Sequence, residues 1–149
     1  ESTGKIIMRE RRKAREIVLQ AAYAKELSGD TNEEVKEKII NISDLPEELK
    51  IFARELFTKT INNKDELDEH IKAKSENWEF SRIAVLDRLI LRMAICEFLF
   101  FDDIPAKVSI SEAIEIAKKY STKDSGSFVN GILDAILQEF NKQTNFKKT

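Results

Sequence analysis

The stretch from Ser81 to Phe100 constrains the fold more than any other part of the chain. At ~100° per residue, Ile83, Val85, Leu86, Leu89, Ile90, Leu91, Met93, Ala94 and Ile95 cover nearly the whole circumference of a helix. A helix that is apolar on all sides needs neighbours on all sides, so this segment is expected at the centre of a helical assembly. A membrane span would need ~20 predominantly apolar residues. Here Asp87, Arg88, Arg92 and Glu97 interrupt the run from Ile83 to Phe101.

The remainder of the chain supplies the neighbours. Four Gly and two Pro in 149 residues leave few turn residues, which favours helices over strands. The periodicity predicts a first helix from about Met8 to Leu27, ending near Ser28-Gly29-Asp30. Its inward face would carry Ala14, Ile17, Val18 and Ala21, and the roughly opposite face Arg12, Arg15, Leu19 and Tyr23. Thr31 with Glu34 reads as a capping box for a short second helix. Pro46 opens a third, with Leu49, Phe52, Ala53, Leu56, Phe57 and Thr60 as its inward stripe. A fourth starts near Asn63 and carries Leu67, His70 and Ile71, and Trp78 and Phe80 then lie in a connector. After the break at Asp102-Asp103-Ile104-Pro105, Ser109 and Glu112 read as a capping box for a sixth helix ending at Tyr120. Ser121 to Ser125 form a polar turn before a last helix from about Gly126 to Phe140. Lys147 and Lys148 are expected in a frayed tail.

Composition excludes several function classes. The hydrophobic share of 42% is enough for a core, and 149 residues fit one domain or two small subdomains. A net charge of −2 predicts no nucleic-acid binding by itself, so any such argument must rest on local clustering. Cys96 is the single cysteine, so neither an intrachain disulfide nor a cysteine zinc cluster can form, and a reducing cytoplasm is compatible. The start is polar and then basic, unlike a secretory signal. Residues 1–7, ahead of Met8, are expected to be a disordered or added leader. Catalysis finds little support. His70 and Cys96 lie on separate helices, and no Walker loop, dinucleotide fingerprint, HExxH helix or nucleophile elbow occurs. The expectation is no enzyme, no catalytic residue, no cofactor and no metal.

Local clustering is found at the N-terminus, where Lys5, Arg9, Arg11, Arg12, Lys13 and Arg15 are relieved only by Glu10. Cations at a helix start oppose the macrodipole and repel each other, so helix stability does not explain them. Phosphate binding does, because cations there neutralise backbone charge and release counterions. Tyr23, three turns along from Arg12, could stack on an unpaired base. A solvated basic face, with Tyr23 packed on a neighbour, is the competing reading.

Two further places stand out. In Asp124 to Gly131, a mid-helix Gly131 costs ~1 kcal/mol relative to Ala, which points to close helix packing there. Ser125 could cap that helix, leaving amides near Gly126 for a phosphate, and Asn130 reads as structural. Asp87 is a carboxylate in an apolar helix, so it either bonds a partner or marks an exposed patch. Arg88, Arg92 and Glu97 read as internal polar contacts.

These segments, taken in order, resemble one family. Arg11-Arg12-Lys13-Ala14-Arg15-Glu16, then Gln20-Ala21 and Tyr23, is similar to the N-terminal signature of the NusB family. Leu86 to Ala94 with Glu97 resembles its central helix. Ile104-Pro105, Ser111 to Tyr120, and Asp124-Ser125-Gly126 through Phe128 to Asp134 complete the pattern. The likeness spans the chain after Met8 and is stronger from Trp78 onward.

The resemblance implies an all-α fold of about seven helices in two small packed three-helix-type bundles. Residues 8–149 would form a single domain, with subdomains over about 8–76 and 77–141. It also implies a transcription antitermination factor that pairs with NusE, a small-subunit ribosomal protein. The pair would bind boxA RNA of nascent ribosomal RNA transcripts and join the elongating RNA polymerase in the cytoplasm. Arg11, Arg12 and Arg15 would hold RNA phosphates, Tyr23, Asp124 and Phe128 would lie on the RNA side, and Asp87 would belong to the NusE-binding patch. A homodimer that masks this face is compatible with the same pattern. Ser127 stands where the family often has Lys, Ser121 where Gly is common, and Cys96 where an aromatic is common. The first of these implies weaker affinity for RNA alone.

Three other readings stay open. The chain could be the NusB-like domain of a ribosomal RNA cytosine methyltransferase, although it ends with no cofactor-binding α/β domain. It could be a protein-interaction module whose basic face meets an acidic protein. A hydrolase built on helical carboxylates would need a ligand spacing that the sequence does not offer.

Overall fold

A computed structural model describes residues 3–75, 79–143, 146 and 148, with side chains described from Glu10 onward. Among these residues there are seven α-helices and no strand: α1 (Thr3–Leu27), α2 (Asn32–Val35), α3 (Glu47–Asn62), α4 (Lys64–Lys74), α5 (Val85–Phe100), α6 (Ala106–Tyr120) and α7 (Ser125–Asn141). One turn of π-helix, Lys36–Ile40, continues α2, and a 3-10 turn, Phe80–Arg82, precedes α5. The fold is all-α, as expected. None of these helices is long and apolar enough to cross a membrane.

The chain divides into two compact units, residues 1–61 and 62–149. In the first, α1 runs from Thr3 rather than from Met8. Of the expected leader, residues 1 and 2 lie outside the described residues. The expected inward face is present at Ala14, Val18 and Ala21, but Arg15, Leu19 and Ala22 are buried as well, while Ile17 is half-exposed. A wider arc of α1 is covered because Phe52 of α3 reaches the Arg11 and Arg15 side. The capping box forms as read. The Glu34 amide donates to Thr31 Oγ1 (3.1 Å) and the Thr31 amide donates to Glu34 Oε1 (2.9 Å). These bonds, the backbone one foremost, hold the Glu34 carboxyl below its ordinary value of 4.5. In α3 the buried residues are the six of the expected stripe.

In the second unit α5 is buried from Leu89 to Phe98 and packs against α4, α6 and α7. It begins at Val85, a turn later than the periodicity suggests, because Ile83 and Ala84 are extended after the 3-10 turn. Trp78 lies outside the described residues. α4 packs inside the second unit. The reason is Asp68, which is buried on α4 and receives two bonds from Arg92 of α5, Nε at 2.6 Å and Nη2 at 3.0 Å.

Two local readings change. α6 starts at Ala106 behind Pro105, and Ser109 is no cap. It is buried, and its hydroxyl donates to Glu97 Oε1 on α5 (2.7 Å). Close helix approach lies at Gly126, not Gly131. A Cβ on Gly126 would come within 3.2 Å of the Lys118 stem on α6, whereas one on exposed Gly131 would meet nothing within 4 Å. Asn130 is also exposed.

The tail is docked rather than frayed where it is described. Phe146 packs on Phe140 (ring centroids 5.3 Å apart), and Lys148 Nζ donates to the Glu97 carbonyl (2.5 Å). Burial holds the Lys148 ammonium below its ordinary 10.5. Lys147 lies outside the described residues.

Candidate nucleic-acid and partner interface

Each unit carries part of the expected site. In the first, Arg11 and Arg12 are half-buried and Lys13 is exposed. The Arg11 guanidinium stands 4.8 Å from the Phe52 ring centre and that of Arg15 5.5 Å, so one ring meets two cations. Arg15 is only 3% exposed, which makes it a packing support of α1 more than an open contact. Tyr23 is 41% exposed. Arg12 and Tyr23 project within roughly 20° of each other at ~100° per residue, about 16 Å apart along the axis. Exposed Gln20 and Leu27 lie on the same side. A cation followed by an accessible aromatic ring suits a phosphate followed by an unstacked base.

In the second unit, Asp87, Asp124 and Phe128 come together around one groove of about 310 Å³. Arg82, Ile83 and Thr122 complete its walls, with Ala84 and Ser125. Asp124 is exposed at the turn before α7, and Phe128 is half-buried one turn into that helix. Asp87 is 6% exposed, and its Oδ2 accepts from Ser125 Oγ (3.0 Å). Its Oδ1 is buried and has no hydrogen-bond partner among the described residues. The sequence reading had set Asp87 apart from Asp124 and Phe128 as a protein-side residue, and the structure gathers all three around the same hollow.

The groove has apolar walls, hydroxyls and two carboxylates against the single cation Arg82. Arg82 is itself engaged by Glu79 at 3.8 Å in an exposed pair. A phosphate would meet repulsion there, whereas a donor-bearing or cationic group would be welcome. Sequence reasoning missed Ser125 as the anchor of Asp87 and treated it as a helix cap. The signal was available: a carboxylate in an apolar helix needs donors, and Ser121, Thr122 and Ser125 form a hydroxyl-rich turn. Arg82 was missed too, and nothing local marks it. Among the described residues, no group of three His, Cys, Asp or Glu side chains could hold a metal ion.

Comparison with known proteins decides the family. The sequence matches the NusB family over residues 12–138. The chain belongs to the NusB family. The transcription antitermination protein NusB of Salinibacter ruber is 44% identical over 143 residues, covering 95% of this chain and 89% of that protein. The structure of T. maritima NusB shares 40% identity with a TM-score of 0.78, over 87% of this chain and 91% of that one. A chain in the crystal structure of the antitermination factors NusB and NusE in complex with dsRNA has the same fold. It superposes with a TM-score of 0.73 at 23% identity, over 89% of this chain and 98% of that one.

Proposed function

We propose that this protein is a bacterial transcription antitermination factor that binds boxA RNA of nascent ribosomal RNA transcripts together with NusE. The assembly would join the elongating RNA polymerase and suppress termination. The observation that carries the reading is the family match across residues 12–138, joined to a surface in which Arg12 and Tyr23 share one side of α1. In this reading Arg11 and Arg12 take RNA phosphates, and Arg15 acts mainly by holding Phe52 under Arg11. Tyr23 stacks on a base, Asp124 and Phe128 contact RNA at the groove rim, and Asp87 serves the NusE side. The protein works as a non-catalytic, cytoplasmic factor without a cofactor. A small basic patch gives modest, salt-sensitive affinity, and a partner that adds contacts along the strand tightens it.

The test is a fluorescence titration of boxA RNA and a scrambled control, with and without NusE, at two salt concentrations. The expected result is preference for boxA that strengthens with NusE and weakens in Arg12→Ala and Tyr23→Ala. Equal binding of both RNAs, indifferent to NusE, would reduce the surface to a basic helical face.

A further inference from the structure

Ser125 is 1% exposed, and its hydroxyl oxygen is the centre of a small network. Asp87 Oδ2 on α5 lies 3.0 Å away, Thr122 Oγ1 2.9 Å, Ser121 Oγ 3.0 Å and the Thr122 amide nitrogen 3.1 Å. A hydroxyl has one proton and two lone pairs, and an ionised carboxylate can only accept. The Ser125 proton is therefore committed to Asp87, and its lone pairs serve the Thr122 amide and a neighbouring hydroxyl. The turn from Ser121 to Asp124, and the start of α7 behind it, are thus tied to α5 through one atom. Asp124 sits in that turn and Phe128 one turn beyond it.

The other oxygen of Asp87 is buried and has no hydrogen-bond partner among the described residues. A buried acceptor left unmade is costly, so a donor brought to it gains more than one made at an exposed site. Such a donor need not displace Ser125, because it would use the second oxygen. A donor there fixes the orientation of the carboxylate, and with it the position of the oxygen that Ser125 bonds. The α6–α7 turn, bonded to that oxygen through Ser125, is then held in the arrangement that presents Asp124 and Phe128 to a second ligand.

We infer that Ser125 is a positioning residue that couples the two ligands of this groove: a hydrogen-bond donor of the protein partner on Asp87 sets the turn that presents Asp124 and Phe128 to RNA. The inference rests on the proposed function and adds its internal linkage. The coupling is reciprocal, so RNA tightens the partner by the same factor that the partner tightens RNA.

The test measures that factor, the ratio of boxA RNA affinities with and without saturating NusE, in the full chain. Variants are Ser125→Ala, and Ser121→Ala, which cuts the network outside the groove wall. Each is first checked for an unchanged helical spectrum. A merely structural defect lowers both affinities and leaves their ratio alone. The expected result is a ratio well above one in the unsubstituted protein, on the order of tenfold. It should fall at least about threefold in Ser125→Ala and less in Ser121→Ala. An unaltered ratio in folded Ser125→Ala would overturn the inference and leave the proposed function standing. No enhancement by NusE in the unsubstituted protein would overturn both.

Discussion

In α5 the charged residues Asp87, Arg92 and Glu97 are buried, and each is held by a residue of another segment: Ser125, Asp68 and Ser109. On α1 the cations Arg11 and Arg12 are half-buried well inside the helix, which begins at Thr3, beside exposed Lys13. Both helices are long, helical by periodicity and flanked by packing partners, yet they use charge differently. A buried charge must be matched atom for atom, because desolvation penalises whatever is left over. A cation at a partly open surface keeps some of its hydration, so its partners need not be matched so strictly. α5 therefore spends most of its charge on holding its unit together, whereas the proposed function assigns the cations of α1 to an outside anion.

This contrast can be broken or sharpened, starting where the effect is largest. Arg92→Ala strands Asp68 in the interior of the second unit, and urea denaturation should record a loss of about 3–5 kcal/mol. The double change Asp68→Leu with Arg92→Met should recover most of it, since matched apolar groups leave nothing unpaired. A cost below about 1 kcal/mol for Arg92→Ala would mean that the pair is not structural. Arg15→Ala should lose about 1–2 kcal/mol by the same assay, from the stacked guanidinium and its buried stem. If it costs nothing while abolishing RNA binding, Arg15 belongs with the open cations after all.

Gly131→Ala runs the other way. The site is helical, exposed and sterically empty, so a thermal or urea transition should show a gain of about 1 kcal/mol. Gly126→Ala should gain less or lose stability, because its Cβ would press on the Lys118 stem. Arg12→Ala should cost about 1 kcal/mol or less, the range of a partly exposed polar contact. It should flatten the slope of log affinity against log salt for single-stranded RNA by about 0.7, the share of one phosphate contact.

The smallest effect concerns the capping box. The Thr31 amide and hydroxyl hold the Glu34 carboxyl below its ordinary 4.5. A depressed folded value means that the contribution is complete above 4.5 and is lost as pH falls through the folded value. Amide exchange at Thr31 and Glu34, taken relative to its intrinsic rate at each pH, should therefore accelerate in acid below that point, and Glu34→Gln should blunt the dependence. Acceleration that begins well above pH 4.5 would assign the effect to another group.

Much of the fold was legible because burial along one helix follows a short period. The stripe from Leu49 to Thr60 needed no knowledge of what it packs against. The Thr31 box was legible for the same reason, its partners being three residues apart. Ser109 and Glu112 have the same spacing and meant something else, because a Ser-x-x-Glu pattern reads identically at a helix start and inside a core. Arg15 falls on an outward face by periodicity because the pattern of α1 does not reveal that Phe52 reaches it, and Leu19, on the same side, is buried as well. Gly131 drew the packing argument that belongs to Gly126, since a glycine is equally silent about which neighbour approaches it.

The sequence by itself determined the helices, the central place of α5, the basic start and the family, all of which depend on local order or on the order of motifs. Only the tertiary structure decided which charges are buried and what holds them. Arg92 finds Asp68 24 residues away and Ser125 finds Asp87 38 residues away. Helical periodicity sets which side a residue faces. It does not say which distant segment will be there, and a hydrogen bond of about 3 Å depends on that.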